Sequence, residues 1–286
     1  MNHVINEMLN KYQVESVEDK KNAIKEIVQE IILCGLSRAG FFKKTAFYGG
    51  TALRIFYGLD RFSEDLDFSL MLKDNTFELS EYFPTLKKEI AAYGLNMDVI
   101  EKEKTKESDI RSAFVKGNTK EHMLLFYTSD PSSYSISSNE NIKIKFEVDI
   151  NPPEGANFEH KYRLLPSPYN ISLYDMPSLF AGKVHAVICR AWQSRIKGRD
   201  LYDYVFYLSK GTSINIEHLK ARLVQSNVWK DNETLTIADV KKLLSNRFDT
   251  IDYEGAKKDV IPFIKDKTSL DLWNSDFFNQ ITNDLK

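Results

Sequence analysis

This 286-residue chain contains two aspartates two positions apart, Asp65 and Asp67. Their type and spacing are suited to chemistry. They open a segment, 65–70, in which polar and apolar residues alternate, and this pattern predicts a half-buried strand with both carboxylates on one face. Like charges this close repel each other unless a cation lies between them. Because Mg²⁺ prefers carboxylates together with substrate phosphate oxygens, the pair predicts a Mg²⁺ (or Mn²⁺) site. The alternative is a chance D-x-D on a surface strand.

A third carboxylate, Asp149, lies near the end of the most regular strand pattern in the sequence, which alternates strictly over 142–150. If this strand neighbours the 65–70 strand, Asp149 joins the same face as a metal ligand. Two or three aspartates on adjacent strands can hold two metal ions for an in-line displacement at phosphorus. A structural role for Asp149 is the alternative.

The sequence Gly49-Gly50-Thr51 closes an apolar segment and precedes a short predicted helix. Backbone N–H groups at a helix N-terminus bind phosphate, and the Thr51 hydroxyl is expected to point outward beside them. No Gly-Lys-Ser/Thr follows, so this is not a P-loop. Glycine and threonine are also favoured in an ordinary strand–helix turn, which is the alternative interpretation.

A local excess of bases lies in the C-terminal half, where the segment 186–199 contains no acid. Its basic residues are candidates to contact a polyanion: Arg190, Arg195, Lys197 and Arg199. A solvated helix face is the common explanation for such a run. Lys183 differs, because it lies on a mostly apolar helix and therefore suggests a specific partner. Asp200 follows a predicted helix break at Gly198, where capping a helix is the alternative role.

These residues need a sheet and several helices to position them. Apolar spacing predicts helices at 16–36, 51–57 and 78–93, and strands at 65–70, 97–100, 112–115, 123–128 and 142–150. The four prolines within 152–168 predict a domain boundary. Beyond it, 179–210 predicts one or two helices, followed by three or four more. The predicted domains are therefore an α/β domain, 1–165, and a helical domain, 166–286.

The composition of the chain limits the binding partners and the cellular compartment that fit this protein. Forty-one acidic residues against 39 basic residues give a net charge of −2. The chain is therefore not generally basic, and its overall charge does not argue for nucleic-acid binding. Two cysteines cannot form a disulfide framework and fit a reducing compartment. The absence of a long apolar stretch or a secretory signal indicates no membrane contact. We expect a cytoplasmic protein.

Taken together, the motifs resemble those of the AbiEii/AbiGii-type nucleotidyltransferase toxins, which belong to the DNA-polymerase-β-like nucleotidyltransferase superfamily. The resemblance rests on the sequences FYGGTALR (47–54) and RFSEDLDF (61–68), on Lys183, and on KGRDLYD (197–203). It covers about residues 45 to 205. It implies an α+β fold, in which an N-terminal mixed-sheet nucleotidyltransferase domain precedes a C-terminal helical domain.

The resemblance also implies roles for individual residues. Gly49, Gly50 and Thr51 would hold a nucleoside triphosphate (NTP), with Ser63 beside them in the loop that leads to the carboxylates. Asp65 and Asp67 would bind Mg²⁺, and Asp149 would be the third carboxylate. Lys183 would neutralise the triphosphate and Asp200 would act next to it, both brought to the cleft by the helical domain. Arg61 and Ser63 are candidates to steady the loop.

The implied activity is transfer of a nucleoside monophosphate from an NTP to an RNA acceptor, with transfer RNA expected. Such a reaction would block translation and growth in a toxin–antitoxin or phage-defence system. The implied partners are the NTP, the RNA and a cognate antitoxin, and we expect a monomer. Two other hypotheses stay open: a nucleotidyltransferase acting on an antibiotic-like small molecule, and a nucleotide-binding protein without activity. The basic run favours a polyanionic acceptor over a cationic drug.

Overall fold

The computed structural model describes residues 3–102, 108–127, 137, 139–191 and 196–286. The chain forms two compact units that alternate along the sequence. The first comprises Met1–Ala52, Phe62–Pro152 and His160–Leu173. The second comprises Leu53–Arg61, Pro153–Glu159 and Tyr174–Lys286.

Helices and strands succeed one another along the chain in a mixed order. The helices are α1 (His3–Leu9), α2 (Val17–Arg38), α3 (Gly49–Tyr57), α4 (Phe83–Ala92), α5 (Thr119–Phe126), α6 (Met176–Cys189), α7 (Gly198–Ser209), α8 (Ile216–Gln225), α9 (Ile237–Phe248), α10 (Tyr253–Val260) and α11 (Ser275–Thr282). The strands are β1 (Thr45–Tyr48), β2 (Leu66–Leu70), β3 (Asp98–Glu101), β4 (Ile110–Asn118), β5 (Asn141–Asp149), β6 (Phe158–Arg163) and β7 (Tyr169–Tyr174). Short 3₁₀ helices include Phe41–Lys43, Leu79–Tyr82, Ile261–Phe263 and Thr268–Leu272.

The seven strands form one mixed sheet in the order β3-β4-β5-β2-β1-β7-β6. Strand β2 lies between β1, which runs antiparallel to it, and β5, which runs parallel. The strand that carries Asp67 is therefore central, with a hydrogen-bonded neighbour on each side. The parallel β2–β5 pair confirms the predicted adjacency of the Asp67 and Asp149 strands.

Helix α2 begins where the sequence predicts. The Ser16 hydroxyl accepts a hydrogen bond from the Asp19 backbone N–H at 3.0 Å, and the Asp19 carboxylate accepts one from the Ser16 N–H. This reciprocal capping box satisfies two N–H groups that would otherwise lack partners at the helix start. The helix then buries a nearly continuous run from Ile27 to Leu36. The predicted helix at 16–36 is confirmed.

Strand β5 confirms the other strong pattern. Its even-numbered residues are fully buried and its odd-numbered residues are not, from Ile142 to Val148. This period of two places one face of the strand in the core and leaves the other face to polar groups. The predicted strands near 97–100 and 112–115 are also present, as β3 and β4.

The predicted strand at 123–128 is wrong, because Thr119–Phe126 forms helix α5. Asn118 accepts a hydrogen bond from the Glu121 backbone N–H at 3.0 Å and so caps the helix. Met123 and Phe126 are then buried at helical spacing. Residue 128 lies outside the described residues. A short apolar run fits the residue spacing of a helix and that of a strand, and the upstream cap at Asn118 decides for the helix.

The prolines near 152–168 also conceal a strand, since β6 spans Phe158–Arg163. After β7 the chain is helical, as predicted, with α6 and α7 followed by the four helices α8 to α11. A mixed sheet with many helices confirms the predicted α+β class. Within the described residues, the search for a helix long and apolar enough to cross a membrane finds none.

Candidate functional site

The turn between β1 and α3 holds the predicted phosphate cradle in the first unit. Gly49 is the first residue of α3 and has a φ of +83°, a region that non-glycine residues rarely adopt. A methyl group built on Gly49 would lie 2.7 Å from Asp67 Oδ2 and 3.3 Å from Asp67 Cβ. Glycine therefore lets the Asp67 carboxylate lie directly against the start of the helix. Cradle and carboxylate, predicted separately, come together here.

Thr51 has a different role from the one expected. Its side chain is only 1% exposed, and its hydroxyl donates a hydrogen bond to the Asp65 carbonyl oxygen. The expectation that this hydroxyl points outward is therefore wrong, because the hydroxyl is used inside the turn. Thr51 instead ties the start of α3 to the residue that begins the D-x-D motif.

Gln29 on α2 fixes the same loop from another side. Its Nε2 donates to the carbonyl oxygens of Ser63 and Glu64, at 2.9 Å each. The side chain is fully buried. This residue was not predicted from the sequence. The available signal was a glutamine on the buried face of an apolar helix, since a buried polar group needs a specific partner.

The β2–β5 register determines which carboxylates share a face. Asp67 pairs with Glu147 and Ser69 pairs with Asp149. Residues opposite each other on paired strands point to the same face, so Asp149 is on the Asp67 face but two positions farther along. Glu147, directly opposite Asp67, was missed although it belongs to the same alternating pattern. It already accepts hydrogen bonds from Ser112 Oγ at 2.7 Å and from Lys145 Nζ.

The donors in this part of the first unit fit a hard divalent cation. Carboxylate oxygens are the ligands that Mg²⁺ and Mn²⁺ prefer, and water and phosphate oxygens commonly complete the shell. Asp67 is half-buried against Gly49, so a phosphate-bearing ligand at the helix start would meet it, and the exposed Asp65 lies two positions before it in the chain. Among the described residues, no group of three or more His, Cys, Asp or Glu side chains is arranged to hold a metal by itself. The residues thus fit a metal that a substrate helps to bind.

A buried ion network occupies the second unit around Lys183 on α6. Lys183 Nζ lies 2.7 Å from Asp200 Oδ1 and 2.9 Å from Asp203 Oδ2, both on α7. Arg61 holds Asp203 with two hydrogen bonds, of 2.6 and 2.7 Å. Arg190 Nε donates to Asp200 at 2.7 Å. Lys183, on a mostly apolar helix, is thus paired with two carboxylates.

The electrostatics of the network follow from burial and pairing. Burial opposes the charge on Asp200, but Lys183 and Arg190 more than offset it and lower the pKa of this carboxyl to about 2. For Lys183, burial favours the neutral amine, yet Asp200 and Asp203 raise the pKa of the ammonium. Lys183 and Asp200 thus stay charged at neutral pH. Among the described residues, the cations of Lys183, Arg61 and Arg190 contact the carboxylates of Asp200 and Asp203 in a mostly buried cluster.

Asp200 and Asp203 explain why the motif spacing matters. Position 200 lies in the first turn of α7, and position 203 follows one helical turn later on the same side. This spacing lets both carboxylates reach one ammonium. The sequence analysis assigned a role to Asp200 but none to Asp203, and it gave Arg61 only a loop-steadying role. Both lie within the motifs RFSEDLDF (61–68) and KGRDLYD (197–203) on which the resemblance rests.

The basic run has fewer available charges than its sequence suggests. Arg190 is paired with Asp200, and Arg199 lies 3.7 Å from Asp259 and over the Phe263 ring. Lys197 occupies the N-cap position of α7. Arg195 lies outside the described residues. Two of the four predicted polyanion contacts are thus engaged within the unit.

Comparison with known proteins identifies one family. The model of the family described as nucleotidyl transferase AbiEii toxin, type IV toxin–antitoxin system, matches residues 31–278. Among curated proteins, none matches the chain.

Two solved structures from Helicobacter pylori are similar to this chain over most of its length. The crystal structure of JHP933 has 16% sequence identity and a TM-score of 0.48, with 92% of this chain and 91% of that chain covered. A crystal structure of a nucleotidyltransferase candidate has 18% identity and a TM-score of 0.46, with 90% of each chain covered.

Proposed function

This chain belongs to the AbiEii family of nucleotidyltransferase toxins of type IV toxin–antitoxin systems, and on that premise we propose the reaction that it performs. The protein transfers a nucleoside monophosphate from an NTP to an RNA acceptor, with transfer RNA as the expected acceptor. The observation that carries the proposal is the position of Asp67 against Gly49. A metal-binding carboxylate and a helix N-terminus in contact are what a metal–triphosphate complex requires.

In the first unit, each residue has a proposed role toward the nucleotide. Asp65 and Asp67 would hold a divalent cation, which would supply charge to offset that of the phosphoryl group and the leaving pyrophosphate. The backbone N–H groups of Gly49 and Gly50 donate hydrogen bonds to phosphate oxygens. Thr51 acts through the backbone that its hydroxyl holds, and Ser63 acts through a backbone position that Gln29 holds. Asp149 serves as a third carboxylate on the same sheet face.

In the second unit, we assign Lys183 to the triphosphate and Asp200 to the positioning of Lys183. The pairing of Lys183 with Asp200 and Asp203 supports this assignment, since it keeps the ammonium charged and fixed in position. Asp200 keeps Lys183 protonated and limits its rotamers. Preorganised charge of this kind stabilises a transition state without reorganisation during the reaction.

The test combines a transfer assay with a matched pair of glycine variants. Purified protein is incubated with Mg²⁺, each α-labelled NTP and total RNA, and label in RNA is measured. We expect Asp67→Asn to lower transfer at least about 100-fold, because a charged ligand at the reacting phosphate is lost. Gly49→Ala should have a similar effect, since its methyl group would collide with Asp67.

Gly94→Ala is the control. Gly94 has a φ of +78°, so alanine meets the same backbone strain there, but no atom lies within 4 Å of the added methyl group. Gly94→Ala should lose about 1–2 kcal/mol from backbone strain alone and keep its activity, whereas Gly49→Ala adds the collision with Asp67, loses more stability and loses activity. Transfer that survives in both Gly49→Ala and Asp67→Asn would exclude the proposed site, as would activity that persists in EDTA.

A small-molecule acceptor is the second candidate, and the pairing of Arg190 and Arg199 favours keeping it. The preference for a polyanion rested on these bases, and two of them already have carboxylate partners. The same assay, run with an aminoglycoside in place of RNA, separates the candidates. Label in the drug fraction alone would replace RNA as the acceptor.

The cellular role is tested by induced expression. We propose a cytoplasmic, monomeric toxin whose activity slows growth until a cognate antitoxin counters it. Wild-type expression should arrest growth, and Asp67→Asn should not. Nucleotide binding without label transfer to any acceptor would instead support the hypothesis of an inactive nucleotide-binding protein.

A further inference from the structure

The second unit contains a cavity that has no part in the proposed reaction. Its volume is about 420 Å³, within the range of small-molecule sites. It lies among α7, the 3₁₀ helix Thr268–Leu272 and α11. The lining residues that matter here are two acids and four aromatic residues: Asp60, Asp266, Tyr202, Phe206, Trp273 and Phe277.

Neither lining acid has a cationic partner in the described part of the chain. Asp60 Oδ1 accepts a hydrogen bond from the Tyr202 hydroxyl at 2.8 Å. Asp266 Oδ1 accepts hydrogen bonds from the Thr268 N–H at 2.9 Å and from its hydroxyl at 2.7 Å. These bonds from Thr268 lower the pKa of the Asp266 carboxyl. One oxygen of each carboxylate is left for a ligand, and none of the described residues that line the cavity is a lysine, arginine or histidine.

The aromatic side chains complete the complementarity. Aromatic faces carry partial negative charge and attract cations, most strongly when water is excluded. Phe206 already takes part in such a contact, because Lys210 Nζ lies 5.4 Å from the centroid of its ring. Trp273 and Phe277 add apolar lining to the cavity, and they favour a flat or apolar ligand body.

We propose that this cavity binds an organic cation: a guanidinium, amidinium or ammonium group carried on a flat or apolar body. The carboxylates of Asp60 and Asp266 receive the cation, and the aromatic walls enclose the body. An anion would meet two like charges, and a neutral ligand would leave both carboxylates without a counter-charge. This inference is independent of the nucleotidyl transfer reaction and stands or fails without it.

The first test uses three ligands of nearly the same shape and different charge. Benzamidine is a planar cation at neutral pH, benzamide is neutral and benzoate is an anion. Binding to the full-length protein is measured by ligand-observed NMR and calorimetry. We expect benzamidine to bind at least tenfold more tightly than benzamide, and benzoate to show no binding. Equal binding of benzamidine and benzamide, or no binding of benzamidine, would overturn the proposal.

The second test locates the site with isosteric variants. Asp60→Asn and Asp266→Asn keep an oxygen for Tyr202 and Thr268 but lose the charge, so both variants should fold and each should weaken benzamidine binding at least fivefold. Asp271→Asn is the matched control, since Asp271 is an exposed acid of the same 3₁₀ helix that does not line the cavity. A loss in Asp271→Asn as large as in the other two would mean general charge attraction and refute the site.

A third measurement distinguishes the sources of the cation. Agmatine represents a free metabolite, and acetyl-Ala-Arg-Ala-amide represents an arginine side chain of a polypeptide. Tighter binding of agmatine supports a small-molecule ligand, and tighter binding of the peptide supports a basic polypeptide segment. If neither competes with benzamidine, a biological organic cation is rejected for this cavity.

Discussion

At the scale of single residues, the ion network around Lys183 is the least expected feature of the protein. Arg61 and Asp203 are almost completely buried, with 3% and 0% of their side chains exposed. Removing charges from water is costly, and only close pairing with several hydrogen bonds offsets this cost. Such a network therefore indicates positional precision at Lys183 more than added stability.

The first prediction concerns the Arg61–Asp203 pair. Arg61→Met should lower the free energy of unfolding by about 3–5 kcal/mol, because it leaves the buried Asp203 carboxylate without its bidentate partner and with Lys183 alone, among the described residues, to pair it. The double variant Arg61→Met/Asp203→Asn should lose less than the sum of the single variants, since the two residues contact each other directly and the buried charge that lost its partner is also removed. Urea unfolding of the three variants measures this coupling.

The control for this pair is an exposed salt bridge. Lys230 and Glu233 lie 2.9 Å apart, with 76% and 46% of their side chains exposed. Lys230→Met should change stability by less than about 0.5 kcal/mol. If Arg61→Met lowered the free energy of unfolding as little as Lys230→Met, the buried Arg61–Asp203 pair would not contribute to stability as predicted.

At the scale of elements, the break between α6 and α7 determines where Asp200 and Asp203 lie. Helix α6 ends at Cys189 and α7 restarts at Gly198. Gly198 packs against α10, and a methyl group built on it would overlap the Ala256 carbonyl oxygen. The glycine thus permits the close helix contact that positions the first turn of α7.

The second prediction compares two helical glycines. Gly198→Ala should destabilise the protein by about 1–3 kcal/mol through overpacking, and it should also reduce transfer because α7 must shift with its two carboxylates. Gly182→Ala on α6 should be neutral or stabilising by up to about 1 kcal/mol, since its nearest atom outside the helix backbone is 3.6 Å away. Thermal unfolding and the transfer assay measure both effects. Equal behaviour of the two variants would contradict this account of the α7–α10 contact.

At the scale of the whole molecule, the net charge of −2 does not show that burial shifts the pKa values of some ionisable groups. Burial, followed by the nearby Arg222, lowers the pKa of both His185 and His218 to about 4. His218 Nδ1 donates to the Glu154 carbonyl oxygen and Nε2 accepts from Arg222, so the neutral ring is held by two bonds. Both histidines are therefore uncharged at neutral pH in the folded protein.

The third prediction is a loss of stability in mild acid. Below pH 6.5 the unfolded chain gains protons at these histidines and the folded protein does not, so stability falls as the pH decreases from about 6.5 to about 4. For a histidine shifted this far, the change between pH 7 and pH 5 is about 2 kcal/mol. The carboxyl of Asp200, with its lowered pKa, loses its contribution only below its ordinary range near pH 3.8.

Urea unfolding at pH 7 and pH 5 tests the effect. His218→Gln should flatten the dependence on pH, while His3→Gln, at an exposed position, should leave it unchanged. An unaltered slope in His218→Gln would exclude the buried histidine as the cause.

The sequence by itself determined the local features that depend on a few neighbouring residues. The capping box of α2, the alternation of β5 and the Gly-Gly turn before α3 follow from hydrogen bonds and burial that their own side chains specify. Local rules were insufficient at 123–128, where a cap five residues upstream decided between helix and strand. The local rules also failed to predict β6, because this edge strand is specified by pairing with its neighbour in the sheet more than by a sequence pattern of its own.

Only the tertiary structure decided which charged groups meet. Arg61 and Asp203 are 142 positions apart in sequence, and Gln29 is 34 positions from Ser63, so no local pattern links them. The Asp67–Glu147 register likewise depends on how two distant strands pair. The sequence specified the chemical types of the candidate site, and folding selected their partners, because a buried charge is stable only beside the opposite charge that the fold brings to it.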